Sequence, residues 1–299
     1  MEFRHLRYFI AVAEELNFTR AAERLHIAQP PLSRQIQQLE EEIGVQLFTR
    51  TRKSVVLTNA GQTFLLEARK LLSQAERALE TIRPSKSRES GTVRVGIAAG
   101  LGEKIAAVFT DFGGRFPLIS IQCNDILSSF QNEALRNRVI DVGFLRPPVD
   151  PRVLTSEHLF NEPILVLVSR SNPLSRRKTL RMADLEHETL LLHDRRVSTG
   201  IYDKVLEIYR NAHVNPAIVH TNTGPYEEAG TMLVARNKGI FLVGGAQTHR
   251  AFTGEVTTIP LNEKDAFFEV HVAWRRDETA WPVLSFLDAV RAHFKLQPS

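Results

Sequence analysis

Side chains able to do chemistry concentrate in two short stretches of the N-terminal third. Gln29, Ser33, Arg34, Gln37 and Gln38 form a polar row. These residue types match the edges of base pairs: arginine can be bidentate to guanine, glutamine to adenine, and serine can bond phosphate or base. Further on, Arg50, Arg52 and Lys53 form a basic cluster with no acid between Glu42 and Glu67. Clustered positive charge suits a phosphate backbone, where it gives affinity without sequence choice; a solvated loop is the plain alternative. Residues 1–90 hold 14 Lys+Arg against 11 Asp+Glu, so most of the net charge of +4 lies in this third.

Catalytic arrangements are missing. Gly96–Lys104 lacks the Gly-Lys-Ser/Thr of a phosphate loop, and Gly100-x-Gly102 has Ile105 where a dinucleotide fingerprint needs glycine. The ten histidines form no His-x-x-x-His pair, and no Gly-x-Ser-x-Gly elbow occurs. Glu40-Glu41-Glu42 offers carboxylates for a metal, but reads more simply as a solvated helix end. Cys123, the lone cysteine, excludes an internal disulfide or cysteine zinc cluster. It falls in an apolar run and reads as a buried residue. These observations predict neither enzyme activity, metal nor cofactor. Composition is globular, 43% hydrophobic and 24% charged over 299 residues. No run approaches the ~18–20 apolar residues of a membrane span, and no signal peptide pattern opens the chain. A soluble, cytoplasmic protein without membrane contact is expected.

The polar row needs a scaffold. Phe3, Leu6, Phe9, Ile10, Ala13 and Leu16 lie on one helical face. A second helix begins near Thr19 as N-cap, turning Ala21, Ala22, Leu25 and Ile27 inward. After the break at His26–Gln29, Pro30-Pro31 suits the first turn of a third helix. Leu32, Ile36, Leu39 and Ile43 form its inner face and Gly44 its stop. That is a helix-turn-helix arrangement, or else a three-helix bundle with an unremarkable polar face. β-prone stretches at 46–50 and 54–57 around the basic turn have the shape of a wing. Next, Leu65, Ala68, Leu72, Ala75, Leu79 and Ile82 make a heptad seam, predicting a helix that pairs with a partner helix, or packs on its own domain. Residues 84–91 read as a hinge.

From Thr92 the period changes. Strand-length runs at 93–98, 119–123, 142–145, 164–168, 189–192, 217–219, 240–243 and 268–274 alternate with helical stretches near 103–115, 129–138, 200–211, 226–236 and 280–294. Such alternation implies largely parallel sheets covered by helices, here in two lobes with strand ends around one cleft. Ala99, Gly100 and Leu101 end the first strand before a helix, where backbone amides can hold an anion. Arg146 is the cationic candidate for an acidic effector, with an intralobe salt bridge as its alternative.

The segment AAERLHIAQPPLSRQIQQLEEEIGVQLFTRTRKSVVLTNAG strongly resembles the signature of the LysR-type transcriptional regulators. The matching features are the Ala-Ala pair, Gln29-Pro30, Leu32-Ser33, Gln35–Glu40, Leu47-Phe48-x-Arg50 and Leu57-Thr58-x-Ala60-Gly61. The opening, with Pro30-Pro31, is most similar to the branch controlling catabolism of aromatic acids. The resemblance implies a winged helix-turn-helix over residues 1–60 and a linker helix and hinge over 61–90. It also implies a two-lobed α/β effector domain of periplasmic-binding-protein type over 91–299, with lobe I at 91–164 and 268–299 and lobe II at 165–267. Dimers form through the linker helix and commonly pair into homotetramers. The implied partners are double-stranded DNA at a partly palindromic promoter site, a small carboxylated effector, aromatic in the branch it resembles, and, for an activator, RNA polymerase. DNA contacts are expected from Thr19, Arg20, Gln29, Pro30, Pro31, Ser33, Arg34, Gln37, Arg50, Arg52 and Lys53. Effector contacts are expected from Ala99, Gly100, Leu101, Ser128, Ser129, Arg146, Thr199, Gly200, Ile201, Thr223, Pro225 and Tyr226. Four departures stand out: Ala99 replaces a common hydroxyl residue, Arg236–Gly239 alters the usual turn, Val243-Gly244 stands for the usual Val-Pro, and Arg138 replaces a common glycine. Ala99 and the altered turn keep open an effector-independent regulator with a vestigial cleft.

Overall fold

The computed structural model describes residues 1–50, 55–82, 90–195, 198–221, 228–245 and 254–296; the side chains at 50, 66, 73, 76–82 and 228 are outside the description. The chain forms two compact units, residues 1–85 and the bulk of residues 86–299. The first unit runs α1 (Phe3–Glu15), α2 (Phe18–Arg24), α3 (Gln29–Ile43), β1 (Phe48–Arg50), β2 (Val55–Leu57) and α4 (Asn59–Ile82). The helical periodicity dictates its core: Leu6, Phe9 and Val12 of α1, Ala21 and Ala22 of α2, and Leu32, Ile36 and Leu39 of α3 are buried together. Each such large aliphatic or aromatic side chain contributes roughly 1.5–3 kcal/mol by leaving water. Phe3 and Leu16, expected on the inner face, are instead exposed at the two ends of α1. The cap of α2 is Asn17 rather than Thr19. Its Oδ1 accepts from the Thr19 and Arg20 amides at 2.9 and 3.1 Å, which places Thr19 inside the first turn.

Between α2 and α3 the chain turns through His26, in the left-handed region at φ 54°. α3 ends at Gly44, also left-handed at φ 75°. β1 and β2 pair antiparallel, with Phe48 packed against Phe9 and Phe18 at ring distances of 5.3 and 6.0 Å. In α4, Ala68 is fully buried and Phe64, Leu65 and Leu72 pack on the same core. This half of the heptad seam therefore contributes to the core of its own domain, with Leu65 and Leu72 only part-buried. The Leu79 and Ile82 side chains lie outside the description.

The second unit contains β3 (Gly91–Ile97), α5 (Gly102–Arg115), β4 (Ile119–Asp125), α6 (Ser128–Arg136), β5 (Val142–Leu145) and β6 (Leu154–Ser169). It continues with β7 (Thr189–His193), α7 (Thr199–Asn211), β8 (Ala217–Thr221), α8 (Glu228–Ala235), β9 (Phe241–Gly244), β10 (Val256–Pro260), β11 (Phe267–Arg275) and α9 (Trp281–Phe294). One core gathers Val93, Val95, Ile105, Phe112, Phe144, Val272 and Phe286; a second gathers Ile164, Val166, Leu190, Val205, Ile208, Leu242 and Phe268. Parallel pairing holds for β3–β4, β3–β5 and β7–β8. The expectation of largely parallel sheets is otherwise corrected. β6 and β11 are long antiparallel strands shared by both cores, and β10 and β9 also join β6 antiparallel. Cys123 is exposed, not buried, because β4 is an edge strand with only β3 beside it.

Candidate nucleic-acid interface and effector cleft

In the first unit, the core-facing stripe of α3 leaves its opposite side to solvent. Gln29, Pro30, Pro31, Arg34, Gln37 and Gln38 are exposed and Ser33 is half-buried. Arg34 makes no ion pair or hydrogen bond among the described residues, so its five donors remain available. Arg20 behaves differently: it is exposed but tied back to Glu15 by a hydrogen bond to the carbonyl and a 3.5 Å ion pair. Thr19 is exposed on the same turn. Arg50 enters through its backbone alone, as the last residue of β1. Arg52 and Lys53 lie outside the described residues.

Sequence reasoning missed what fixes the wing to α3. Glu40, only 2% exposed, receives the Leu47 and Phe48 amides on Oε1 at 2.8 and 3.0 Å. A carboxylate accepting two backbone donors is a strong, charge-assisted anchor. Glu40 is thus not part of the solvated helix end expected, although Glu41 and Glu42 beside it are exposed. Among the described residues no cluster of His, Cys, Asp and Glu could hold a metal ion.

In the second unit, Arg146 follows β5 and is 4% exposed. Its Nε and Nη2 donate to Glu162 Oε2 at 3.1 and 2.6 Å, and its Nη1 donates to the Ala99 carbonyl at 3.1 Å. Its backbone amide donates to Ser128 Oγ at 3.1 Å. The end of β3, the start of α6 and the end of β5 are therefore joined around one buried guanidinium. Its charge is met by the Glu162 side chain, itself fully buried, so the salt-bridge alternative is the observed one. Gly100 takes φ 82°, and the Leu101 amide bonds the Ala98 carbonyl. Leu101 and Ile201 point into the two hydrophobic cores, so neither side chain is free to face a ligand.

α7 brings the other wall. A Cβ at Gly200 would lie 1.7 Å from the Pro147 carbonyl oxygen, so only glycine lets this helix start touch the loop after Arg146. Thr199 Oγ1 is bonded to the Arg195 carbonyl at 3.1 Å. Beside this contact is a cavity of about 300 Å³ lined by Arg146, Pro147, Gly200, Lys204, Glu207, Phe267, Phe268 and Glu269. Lys204 Nζ sits 5.3 Å from the Phe267 ring centroid and 3.2 Å from Glu207. The Arg146 guanidinium sits 5.8 Å from that of Phe268. Of the expected effector residues, Arg146 and Gly200 line the cavity; Ala99 and Ser128 hold Arg146 from behind. Ser129 is half-buried at the start of α6, and Thr223, Pro225 and Tyr226 lie outside the described residues. Two local signals point to missed lining residues: Lys204 follows Gly200 by one helical turn, and Pro147 follows Arg146.

A helix-turn-helix head with an open recognition face, ahead of an α/β unit holding a walled cavity, defines a DNA-binding regulator with an effector domain. The comparisons agree. Residues 3–62 match the bacterial regulatory helix-turn-helix proteins of the lysR family, and residues 86–295 match the LysR substrate binding domain. The chain belongs to the LysR family of transcriptional regulators. It is 34% identical over 286 residues to the HTH-type transcriptional regulator YnfL of Escherichia coli (strain K12), covering 94% of this chain and 95% of that one. It is likewise 34% identical to BenM of Acinetobacter baylyi, covering 97% and 95%. Among solved structures, CbnR, a LysR family transcriptional regulator, superposes with a TM-score of 0.68 at 26% identity, covering 98% and 99%. CbnR complexed with its target DNA gives 0.64 at 28% identity, with the same coverage. These relatives are regulators rather than enzymes, and no described helix is long and apolar enough to cross a membrane.

Proposed function

We propose that this chain is a cytoplasmic activator that reads a partly palindromic promoter site as a homodimer or homotetramer and answers to a small carboxylated effector. In this reading residues 1–60 read DNA, 61–90 dimerise, and 91–299 bind the effector. The N-terminal part of α3 reads base edges through Gln29, Ser33, Arg34 and Gln37. Pro30, Pro31, Thr19 and Arg20 pack along the duplex, and Arg50, Arg52 and Lys53 hold phosphates.

The observation that carries the effector half is the 300 Å³ cavity between the start of α7 and the Arg146 loop. Its size suits a small organic acid. The first amides of α7 and the Lys204 ammonium attract an anion, and Phe267 and Phe268 offer apolar faces for an aromatic ring. An effector that prefers one arrangement of the two lobes shifts their equilibrium, and the linker helix passes the shift to DNA and RNA polymerase. A ligand binding both arrangements equally would shift nothing. A second reading, an effector-independent regulator, is favoured by the closed Arg146–Glu162 pair.

Thermal unfolding of the full chain with aromatic, dicarboxylic and amino acids separates the two. A ligand at 100 times its dissociation constant stabilises by ~2.7 kcal/mol. The effector reading expects a melting shift with one acid class that is lost in Lys204→Ala. Equal shifts in both proteins would remove the cavity from the account, and no shift with any acid would favour the second reading.

A further inference from the structure

α1 and α3 are joined by a chain of side-chain hydrogen bonds that ends on the exposed side of α3. His5 is 4% exposed. Its Nδ1 accepts from the Glu2 backbone amide at 3.2 Å. A backbone N–H can only donate, so Nδ1 must be the unprotonated nitrogen and the proton sits on Nε2. Nε2 is 3.1 Å from Gln35 Oε1 and is therefore the donor in that bond. Gln35 then has its amide nitrogen left to donate, which it does to Gln38 Oε1 at 3.2 Å. Each step fixes the next. Gln38 is exposed, its oxygen is engaged by Gln35, and its NH2 group has no partner among the described residues; it stands one helical turn from Arg34.

We infer that His5 is a positioning residue for DNA recognition: through Gln35 it engages the Gln38 oxygen and leaves the Gln38 NH2 as the group offered to the duplex. A glutamine free to present both ends is bidentate to adenine. One whose oxygen is held offers two N–H groups, and these suit the acceptor pair of guanine, O6 and N7, or thymine O4. The proposal rests on the reading of α3 as the recognition helix and adds which face of Gln38 it shows.

Site selection by the full chain from a randomised duplex pool tests this, using the wild type, His5→Phe, Gln38→Ala and the double variant. At one base pair per half-site the wild type should select guanine or thymine, and Gln38→Ala should erase that preference. His5→Phe should move it toward adenine by about tenfold, with binding to non-specific DNA unchanged. In the Gln38→Ala background His5→Phe should add nothing. Gln35→Met breaks the relay from its exposed side and should copy His5→Phe if that variant folds poorly. An unchanged base preference in His5→Phe or Gln35→Met would overturn the proposal, as would a His5→Phe effect that persists without Gln38. A wild type that selects no sequence would overturn the recognition-helix reading itself, and the relay with it.

Discussion

The two units of the chain treat charge in opposite ways. On α3 Gln29, Arg34, Gln37 and Gln38 are exposed, and Arg34 has no partner among the described residues. In the effector unit the corresponding cation, Arg146, is buried, tied to Glu162 and held by Ala99 and Ser128. Exposed donors on a rigid helix suit a highly charged partner that supplies its own acceptors. A buried pair can act on a small ligand only by exchange or by shaping the wall the ligand meets. The proposed recognition surface is thus open, whereas the cleft commits its strongest charge to holding itself together.

This contrast can be broken most forcefully at the buried pair. Glu162→Ala should cost about 3–5 kcal/mol of stability because it strands a buried guanidinium. Replacing both partners by Arg146→Met and Glu162→Leu should recover most of that loss, as denaturant titration will show. Arg34→Ala should reduce preference for a selected site by about 1–3 kcal/mol; an unchanged preference, measured by competition with random duplex, would remove Arg34 from readout. Glu40→Ala leaves two buried amides of the wing without an acceptor and should cost about 1–3 kcal/mol in thermal unfolding. It should also weaken DNA binding, through loss of wing placement, more than the stability change explains.

The smallest effect concerns pH. Burial pushes the His271 imidazole below its ordinary value, while the Glu269 carboxylate at 3.4 Å pulls weakly the other way. With the folded value depressed, the unfolded chain takes up the proton first. Stability should therefore fall as pH drops through about 6.5, the unfolded histidine value, and level off below the folded one. His271→Asn should flatten that dependence; an identical pH profile would assign it to other groups.

Much of the head was legible because its signals are local. Helical spacing, the double proline and Gly44 locate α3 within the sequence, and the outer face follows from the inner one. Even there, Asn17 rather than Thr19 caps α2, since both residues are good caps and only the backbone angle chooses. In the effector unit, the 142–145 and 189–193 strands were readable as apolar runs. The first half of β6 was not, because Thr155, Ser156, Glu157 and His158 are four polar residues in a row, with neither an apolar run nor an alternation to mark a strand. Nor was β10, which is only five residues long and ends in Pro260. The cavity was least legible. Lys204, Glu207 and Phe267–Glu269 meet Arg146 only because β11 passes α7 in space, and no spacing in the sequence encodes that crossing. Arg146 itself was visible, but its partner Glu162, sixteen residues on, was not.

Side-by-side chemical denaturation of Arg34→Ala and Arg146→Ala in the full chain tests the contrast most directly. The exposed, unpaired Arg34 should be removable within about 0.5 kcal/mol of wild-type stability. Removing Arg146 should cost about 3–5 kcal/mol by taking its cation from the buried Glu162 carboxylate. Equal stabilities for the two variants, or a larger loss from Arg34→Ala, would contradict the division between an open recognition face and a closed cleft.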